Sequence, residues 1–558
     1  MMNFRQYPNI TEIGIPNVIK LSTNDFSSCF NNMRNLVTSK FNHPSVEIMS
    51  YAYQNCHNLT GSPVCGNNVT SMSYMYRNCY SLTGSPVCGP NVASMVYTYH
   101  NCTNLTGSPV CGPNVTGMWT TYYNCTNLTG SPVCGDNVTD MIFTYTKCKN
   151  LTGSPVCGDK VNKMTGTYDS CTNLTGFPAC GDNVTDMSEA YSGCVNLTGS
   201  PVCGNKVTNM YATYKNCNNL TGTSVCGPNV DDMKYTYQNC SNLTGSPVCG
   251  PNVTNMYFTY ARCTNLTGFP VCGPYVVSIS NTYNFCTNLT GSPVCGDKVT
   301  NMSYAYYWCN NLTGSPVCGP NVTDMSMTYY YCTNLRGAPV CGNNVTSMYQ
   351  TYGQCNKLTG SPVCGPNVTD MCHTYYYCSN ITGSPVCGNK VTNMYSAYSQ
   401  CRNLTGYSVC GPNVTSMRET YNRCVNLSAG NHYWYSPNVS DITNCFYEKN
   451  NSRRYNIHVP ANSTTLNTML INNTNSLVGA AITWTNAGTY YYNTAYNIYI
   501  YPENNIYAAF NNAKKDILID FEYVDHGDGT YTITDWKDTY QGEPSNRCVI
   551  PAYDWIKY

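Results

Sequence analysis

Apolar side chains recur along most of this chain in one fixed pattern. In residues 252–267 a methionine, a threonine, a tyrosine, a cysteine and a leucine fall at relative spacings of 0, 3, 4, 7 and 10. This spacing predicts one face of a short helix or 3-10 segment. The Leu-Thr-Gly-Ser-Pro-Val-Cys stretch beside it is short and rich in turn residues, so it predicts a brief extended segment and a turn.

Cysteine spacing shows that this pattern belongs to a repeat of 23 residues. One cysteine series returns every 23 residues from Cys56 to Cys424, and a second runs nine residues behind it from Cys65 to Cys410. Counted from the first cysteine, the common unit is Cys-Thr-Asn-Leu-Thr-Gly-Ser-Pro-Val-Cys-Gly-Pro-Asn-Val-Thr-Asn-Met-x-x-Thr-Tyr-x-Asn. One unit cannot bury its few apolar groups alone, whereas stacked units can, so the repeat predicts a solenoid.

Stacking in register would align identical side chains into columns. We therefore expect a structural ladder of tyrosines at position 21 and cysteines at position 1, beginning with Tyr53, Tyr76, Tyr99, Cys56, Cys79 and Cys102. The tyrosine hydroxyls are expected at the edge of the core, where they reach water or a partner. Coils spaced about 5 Å apart would make a rod on the order of 80 Å long. The predicted fold class is an α/β repeat solenoid, similar to leucine-rich repeats, with a short strand and a short helical segment in each 23-residue coil.

The repeat is imperfect at both ends. Met33 and Asn42 replace the two cysteines of the first unit, and the register slips by two residues after Cys424. We predict an N-terminal cap at residues 1–32, the solenoid at 33–447, and small β-rich modules at 448–512 and 513–558. Strand-like alternation is found in residues 456–460, 480–484, 490–501, 517–523 and 530–536, with a turn at Asp528-Gly529. Cys29 and Cys445 both fall at position 20, which suggests matching roles in the two caps.

The unit resembles a known family. The run Asn-Val-Thr-Asn-Met-x-x-x-Tyr-x-x-Cys-Thr-Asn-Leu-Thr in residues 252–267 is similar to the BspA-like leucine-rich repeats of bacterial surface proteins, gut phages and some protists. The resemblance covers about residues 33–446, and the C-terminal region resembles the ends of gut-phage members less closely. It implies an α/β solenoid used for adhesion or recognition.

The unit departs from that family at two places. Tyrosine stands where the family usually has phenylalanine, and Ser-Pro-Val-Cys-Gly replaces its apolar strand. Because proline has no N–H, we do not expect a continuous parallel sheet through this segment.

Composition excludes several classes of function. Charged residues make up only 10% of the chain, with 28 basic and 28 acidic side chains, so no basic field exists to hold nucleic acid. The longest apolar stretch is too short for membrane insertion, and the N-terminal residues lack the apolar run of a signal peptide. We expect a virion or cell-surface location. A virion protein assembled inside a host cell would explain the missing signal.

The paired cysteines allow three interpretations. Their spacing lacks the close pairs of a zinc site, and histidines do not accompany them, so we predict no metal site and no cofactor. Disulfides could join Cys56 to Cys65 or neighbours within a column. Alternatively the thiols are free core groups, as the resemblance implies for the first series. Cys372, at the variable position 18, is expected to be exposed and unpaired.

Other polar residues are best explained by turns. The Asn-Leu-Thr and Asn-Val-Thr sequons could carry glycans, but at fixed unit positions we expect them to bond turn backbone. Aspartates at positions 12 and 16 are interpreted as solvated turn residues; they are Asp136, Asp140, Asp159, Asp182, Asp186 and Asp232. Asp525 and Asp528 could hold calcium, although a hairpin explains them more simply. No nucleophile motif or phosphate loop is present, so we predict that the protein is not an enzyme.

Functional diversity in such a rod has to lie where the sequence varies, at positions 18, 19, 22 and 23, which we expect to form exposed stripes. Late in the rod these stripes are aromatic, and the predicted binding residues are Tyr307, Trp308, Tyr330, Tyr331, His373, Tyr376 and Tyr377, interrupted by Gly353 and Gln354. Exposed aromatic rows can stack on sugar rings or anchor a protein. The plainer alternatives are drift in a tyrosine-rich chain and lateral contact between rods.

The sequence therefore predicts a non-enzymatic solenoid for adhesion or host-surface recognition, associated with a phage virion or tail fibre. Its partner would be a host-surface glycan or protein, and the C-terminal region could dock on other virion proteins or on copies of itself. Alternatives are a bacterial or protist cell-surface adhesin, a self-associating structural rod and, as the weakest, a glycan-cleaving solenoid.

Overall fold

The computed structural model describes residues 4–7, 9–14, 23–447, 455–460, 491–493, 498–503, 521–525 and 531–536. Along the longest of these ranges, parallel backbone bridges join position 16 of each unit to position 16 of the next, from Asp25–Ile48 to Ser416–Asp441. Each 23-residue unit is therefore one coil of a solenoid, and the coils lie in register as predicted.

Five inward-facing positions build the core of the rod. In the coil that contains Tyr145, the residues Val138, Met141, Cys148 and Leu151 are all fully buried together with that tyrosine. The position 21 rings stack face to face from Tyr53 to Tyr421, with ring centroids 5.3 Å apart at one end and 5.7 Å at the other. Phenylalanines close both ends of this column: Phe30 stacks on Tyr53 at 5.1 Å, and Phe446 stacks on Tyr421 at 5.6 Å. Tyr53, Tyr76 and Tyr99 lie in one stacked column, and Cys56, Cys79 and Cys102 are buried in the same core.

The predicted helical segment is instead a run of tight turns. The described residues contain no α-helix, and their one 3-10 helix is Phe4–Gln6, outside the repeat. In a typical coil, the amide of Thr121 bonds the carbonyl three residues back at 3.1 Å, whereas the amides of Thr120 and Tyr122 bond carbonyls of the next coil at 2.9 and 2.8 Å. An α-helix needs its interior amides to bond four residues back. A segment that gives alternate amides to its neighbour therefore cannot be helical.

Left-handed backbone at two positions makes these turns possible. Positions 19 and 23 have positive φ in the successive coils, as at Thr120 with 57° and Asn124 with 58°. Asparagine tolerates this region better than most residues with a side chain. This preference explains why asparagine is the common residue at position 23.

The extended segment around the proline bonds within its own coil. The amide of Val133 donates to the hydroxyl of Tyr145 at 3.1 Å, and that hydroxyl donates to the Val133 carbonyl at 2.7 Å. The same pair recurs along the rod, from Tyr76 to Tyr421. The expectation that these hydroxyls reach water or a partner is therefore wrong, because each one is held by the backbone of position 9.

Proline decides whether this segment pairs with its neighbour. In the described coils, bridges through it occur at Thr223–Thr244 and Cys410–Trp434. Those are the two coils in which serine, Ser224 or Ser408, replaces the proline of position 8. The absence of a continuous sheet through the proline segment is thus confirmed, and its cause is local.

Short strands lie at both ends of the rod. Strand β1 (Glu12–Ile13) pairs in parallel with β2 (Thr38–Ser39). Near the last coil, β3 (Gly430–Tyr433) pairs in parallel with β4 (Tyr455–Pro460), β4 pairs in parallel with β6 (Ile498–Glu503), and β5 (Tyr491–Asn493) pairs antiparallel with β6. Strands β7 (Phe521–Asp525) and β8 (Tyr531–Trp536) form an antiparallel pair. The predicted strand at residues 480–484 and the turn at Asp528-Gly529, with its calcium alternative, lie outside the described residues.

Glycine at position 6 is required by both conformation and space. Gly130 has φ of +81°, and a Cβ there would press on the Ser108 hydroxyl and lie 2.9 Å from the Ser108 Cβ. Gly61 has φ of +83° with nothing within 4 Å, and Gly117 has no left-handed φ and only a 3.4 Å contact with Val96. Comparing these three glycines therefore separates the cost of a side chain in the left-handed conformation from the cost of a steric clash.

We expect Gly130→Ala to lower the free energy of unfolding by about 2–4 kcal/mol, because both costs apply. Gly61→Ala should lose about 1–2 kcal/mol from conformation alone, and Gly117→Ala should change stability by less than about 0.5 kcal/mol. Denaturant midpoints of the three variants measure this order. Equal losses at Gly61 and Gly130 would mean that the serine simply moves aside.

Candidate functional site: the variable face

Positions 18, 19, 22 and 23 share one side of the rod, which we call the variable face. Ring contacts connect all four: Tyr304 at position 19 lies 5.6 Å from Tyr307 at position 22, and Tyr307 lies 6.4 Å from Trp308 at position 23. Tyr395, at position 18, lies 4.7 Å from His373 at position 19. The turns place these side chains outside the core, because the core position 17 precedes them, the core positions 20 and 21 separate them, and all three of those positions point inward.

The structure divides the seven predicted binding residues into two groups. Tyr307 stacks on Tyr330 at 5.5 Å, and Trp308 stacks on Tyr331 at 4.2 Å. In the second group, Tyr376 lies 4.6 Å from Tyr377 and 5.3 Å from His373. All seven side chains are half-buried, because neighbouring rings cover one another. The expected exposed stripes are thus partly closed surfaces.

Gly353 is the reason for the gap between the groups. A Cβ at Gly353 would lie 2.8 Å from two ring atoms of Tyr330. The Tyr330 ring therefore occupies the space that a side chain at position 22 of the next coil would need. Gly353 interrupts the aromatic row in the sequence, but in the structure it leaves the space that the Tyr330 ring fills.

Sequence reasoning missed several aromatic residues of this face. Phe285 lies 5.6 Å from Trp308, and Tyr304 and Tyr395 extend the two groups. A further row lies at the start of the rod, where Tyr51, Tyr74 and Tyr97 stack at 4.6 and 4.7 Å. Tyr304 and this early row all occupy position 19, so the recurrence of tyrosine at that position was the available signal in the sequence.

Basic side chains lie over several of these rings. The Arg262 guanidinium is 5.4 Å from the centroid of Phe285, and the Lys215 ammonium is 5.1 Å from that of Tyr235. At the start of the rod, Arg77 lies 5.5 Å from Tyr97. Such contacts contribute about 0.5–1 kcal/mol at exposed sites, and they fix the outer surface of the aromatic rows.

The cysteines are held as thiols. No disulfide joins the described cysteines, and those of position 1 are buried. Cys148 Sγ donates to the Tyr122 carbonyl of the preceding coil at 3.0 Å. Burial raises the pKa of the Cys148 thiol to about 12 and that of Cys65, in the second column, to about 11. These thiols are therefore protonated at neutral pH.

Cys372 differs from the sequence expectation. It is buried rather than exposed, with 6% of its surface accessible, and its Sγ lies 3.0 Å from His373 Nδ1. A cysteine beside a histidine invites comparison with a catalytic pair. Burial, reinforced by the Asp370 carboxylate, raises the Cys372 pKa to about 12. A nucleophile needs the thiolate, which this environment disfavours.

Turn residues account for the aspartates and the sequons that the structure describes. The carboxylates of Asp140 and Asp186, at position 16, accept the amide two residues on at 2.9 and 2.8 Å. The sequon residue Asn137 donates to the Pro113 carbonyl of the previous coil at 3.0 Å, and Thr139 donates to Thr116 at 3.3 Å. The interpretation of these residues as turn and coil-linking groups is confirmed. Position 16 aspartates are half-buried rather than fully solvated.

The described residues contain no group of three or more histidine, cysteine or acidic side chains arranged to hold a metal ion. No helix among them is long and apolar enough to cross a membrane.

A family model and solved structures of other proteins are similar to parts of this chain. The family model described as a Mycoplasma protein of unknown function, DUF285, matches residues 22–131 and 345–459. Among solved structures, a leucine-rich repeat protein from Bacteroides ovatus is 13% identical, with 76% of this chain and 91% of that chain covered and a TM-score of 0.35. A leucine-rich cell surface protein from Faecalibacterium prausnitzii is 14% identical, with coverage of 76% and 89% and a TM-score of 0.26. No curated protein sequence matches the chain.

The two segments matched by the family model are joined by coils of the same register. Position 16 bridges continue without a break between them, from Gly117–Asp140 to Ser347–Asp370. The matched ends and the intervening coils are therefore one repeat array. The chain is therefore similar to the DUF285 family over the two matched segments, and the same repeat continues between them.

Proposed function

We propose that this protein is a non-enzymatic binding rod whose variable face recognises a glycan or protein on a host or cell surface. The observation that carries the proposal is the aromatic cluster of Phe285, Tyr304, Tyr307, Trp308, Tyr330 and Tyr331. Its rings are already stacked on one another, so a ligand meets a surface whose side chains have lost most of their freedom. Such preorganisation favours binding because less entropy is lost on association.

Two features favour a binding function over a catalytic one. The invariant positions are committed to the core, to turns and to links between coils. Side chains that could act as nucleophiles are also held in an unreactive form, as the protonated Cys372 beside His373 illustrates. A surface location, on a cell or on a phage virion, is part of the proposal because the family that the repeat resembles includes proteins of both kinds.

A glycan array probed with the full chain tests this function. The double variant Trp308→Ala/Tyr331→Ala should lose at least tenfold in binding signal, because it removes the two most closely stacked rings. The matched control is Phe177→Ala/Phe269→Ala, which removes two aromatic rings of position 7 that are 68% and 67% exposed away from the variable face.

The control pair should leave binding unchanged. If only the control variant lost binding, the recognition surface would be the one that carries the position 7 side chains and not the variable face. A protein that binds nothing but forms concentration-dependent filaments in electron micrographs would favour the structural rod, and reducing ends released from a polysaccharide would favour cleavage.

A further inference from the structure

Position 23 carries large side chains in the second half of the rod, although its backbone is left-handed there. From the coil that ends at residue 262 to the coil that ends at residue 423, asparagine no longer occupies this position. In the first four of these coils φ is 64°, 59°, 62° and 65°, at Arg262, Phe285, Trp308 and Tyr331. Bulky side chains are strained in this conformation, which asparagine tolerates better. Strained residues of this kind cluster at functional sites.

Asparagine at this position would also link the coils. The side-chain amide of Asn239 donates to the Asn216 side-chain oxygen at 2.7 Å, and Asn78 donates to Asn55 in the same way at 2.8 Å. Arg262 follows Asn239 in this column but directs its guanidinium to Phe285, 5.4 Å from the ring centroid. Neither backbone conformation nor the links between coils therefore accounts for an arginine at residue 262.

Arg262 is an isolated charge on the variable face. It is exposed, and among the described residues it forms no ion pair. At the variable positions from Gln238 to Gln400 it is the one arginine, lysine or acidic residue, and burial lowers the pKa of His373 from 6.5. In the three coils of residues 240–308 the one acidic residue is Asp297, at the turn position 12. An exposed cation without a counter-ion attracts an anionic group of a ligand.

The aromatic column that follows Arg262 adds apolar surface beside this charge. The ring centroid of Phe285 lies 5.6 Å from that of Trp308, which lies 4.2 Å from that of Tyr331. The three rings are half-buried, because neighbouring rings cover one another. All four residues occupy position 23 of successive coils, so the accessible parts of the rings and the guanidinium form one continuous strip along the rod.

The strip suits a ligand that carries one acid group on a polar, uncharged body. A guanidinium matches the paired oxygens of an acid group with two parallel hydrogen bonds. A nucleic acid strand or a strongly acidic peptide would bring several charges, and the variable positions from 263 to 400 offer no second arginine or lysine to meet them. An acidic sugar has one charge on its ring, and its hydroxyls fit uncharged neighbours such as the half-buried Asn281 and Ser303.

We propose that the aromatic cluster binds an acidic glycan, in which Arg262 holds the carboxylate or sulfate of a sugar that lies along the position 23 strip. The inference rests on the proposed function, since it names the ligand class of the same site. Arg262 is the residue that selects an acidic sugar over its neutral counterpart.

A glycan array of matched acidic and neutral sugars, probed with the full chain, tests this assignment. The pairs are sialyllactose with lactose, oligogalacturonate with its methyl ester, and sulfated with unsulfated lactose. We expect the acidic member of at least one pair to bind at least tenfold more strongly. Arg262→Asn should reduce its binding to the level of the neutral member. The thermal midpoint of this variant should not fall, because asparagine suits the left-handed backbone.

Arg402→Gln is the matched control, since Arg402 is an exposed arginine at position 2, outside the variable face. It should leave the preference for acidic sugars unchanged. Equal binding within every pair, or a preference that survives Arg262→Asn, would overturn the proposal. A poly-glutamate peptide that bound through Arg262 in place of every sugar would also overturn it, and the ligand would then be an acidic protein segment.

The Trp308→Ala/Tyr331→Ala variant distinguishes this proposal from the function on which it rests. If that variant loses all sugar binding while Arg262→Asn changes nothing, the aromatic site stands and the acidic ligand class is wrong. If acidic sugars bind through Arg262 and the aromatic variant binds them equally well, the charge contact stands and the aromatic contact is wrong. If no sugar binds the chain at all, both hypotheses fail.

Discussion

Raising the pH above about 9 is expected to unfold the rod in one steep step, with thiolates and buried phenolates appearing together. Burial raises the pKa of Cys56 from its ordinary 9.0 to about 12 and that of Cys111 likewise to about 12. Burial also raises the pKa of column tyrosines such as Tyr145 well above the ordinary 10.0. The loss of stability at high pH grows with the number of coils, because buried cysteine thiols and a buried tyrosine recur from coil to coil.

The sign of the effect follows from proton binding. A thiol whose pKa is higher in the folded than in the unfolded chain contributes stability that is complete below the unfolded pKa, here 9.0, and lost as the pH rises through the folded value near 12. Each such thiol removes about 1.4 kcal/mol for each pH unit in that window. A handful of them exceeds the roughly 5–15 kcal/mol that stabilises a typical domain.

Circular dichroism and phenolate absorbance, recorded together in the presence of a reductant, measure the transition. Surface tyrosines should titrate first, and the remaining phenolate signal should rise only as the dichroism collapses. Cys148→Ala is the matched variant, since removing one titrating thiol should reduce the slope of unfolding free energy against pH by about one proton. A gradual titration of all tyrosines with the dichroism intact would show that the columns admit water and would contradict the buried core.

The sequence predicted the part of this fold that depends on repetition. Spacing alone placed Tyr53, Tyr76 and Tyr99 in one column, because identical units stacked without insertions must align identical side chains. It also indicated the variable face, since the positions free to change are those whose side chains lie outside the core. Those conclusions need only the period and the identity of the residues.

The spacing of apolar residues could not predict the local backbone conformation. A run of turns that bond three residues back brings positions 17, 20 and 21 to the inside just as a helix would, so the two cannot be distinguished by apolar pattern. What distinguishes them is the destination of alternate amides and the left-handed φ at Thr120 and Asn124. The recurring asparagine at position 23 was the available signal, because asparagine accepts that conformation. The burial of Cys372, whose Sγ lies 3.0 Å from His373 Nδ1, was missed for a related reason, since the spacing of apolar residues does not report contacts between variable positions.

The proline and the tyrosine that set this repeat apart act on the same extended segment. Proline at position 8 stops this segment from pairing with the next coil, and the tyrosine hydroxyl takes both backbone groups of position 9, as it also does in the two coils where serine replaces the proline. Phenylalanine would leave those groups without a partner from their own coil. In Tyr145→Phe we therefore expect a loss of about 1–3 kcal/mol with the packing retained, and in Tyr145→Ala a loss of about 3–5 kcal/mol.

Hydrogen exchange at the Val133 amide gives a local readout, because that N–H donates to the Tyr145 hydroxyl at 3.1 Å. Exchange should accelerate in Tyr145→Phe. Tyr80→Phe serves as the control, since this tyrosine is 41% exposed and its loss should change stability by less than about 0.5 kcal/mol. Unchanged protection at Val133 would mean that water satisfies the segment and that the hydroxyl is incidental.

A double-mutant cycle tests whether proline and tyrosine are coupled. Pro132→Ser recreates the sequence of the two coils whose segments do bridge to a neighbour, at Thr223–Thr244 and Cys410–Trp434. In that background Tyr145→Phe should cost at least about 0.5 kcal/mol less than in the parent, because a bridge to the neighbouring coil would also hold the segment in place. If the losses in unfolding free energy were additive, the two substitutions would act independently. The tyrosine would then matter to its own coil alone, and the coincidence of bridges with missing prolines would need a different cause.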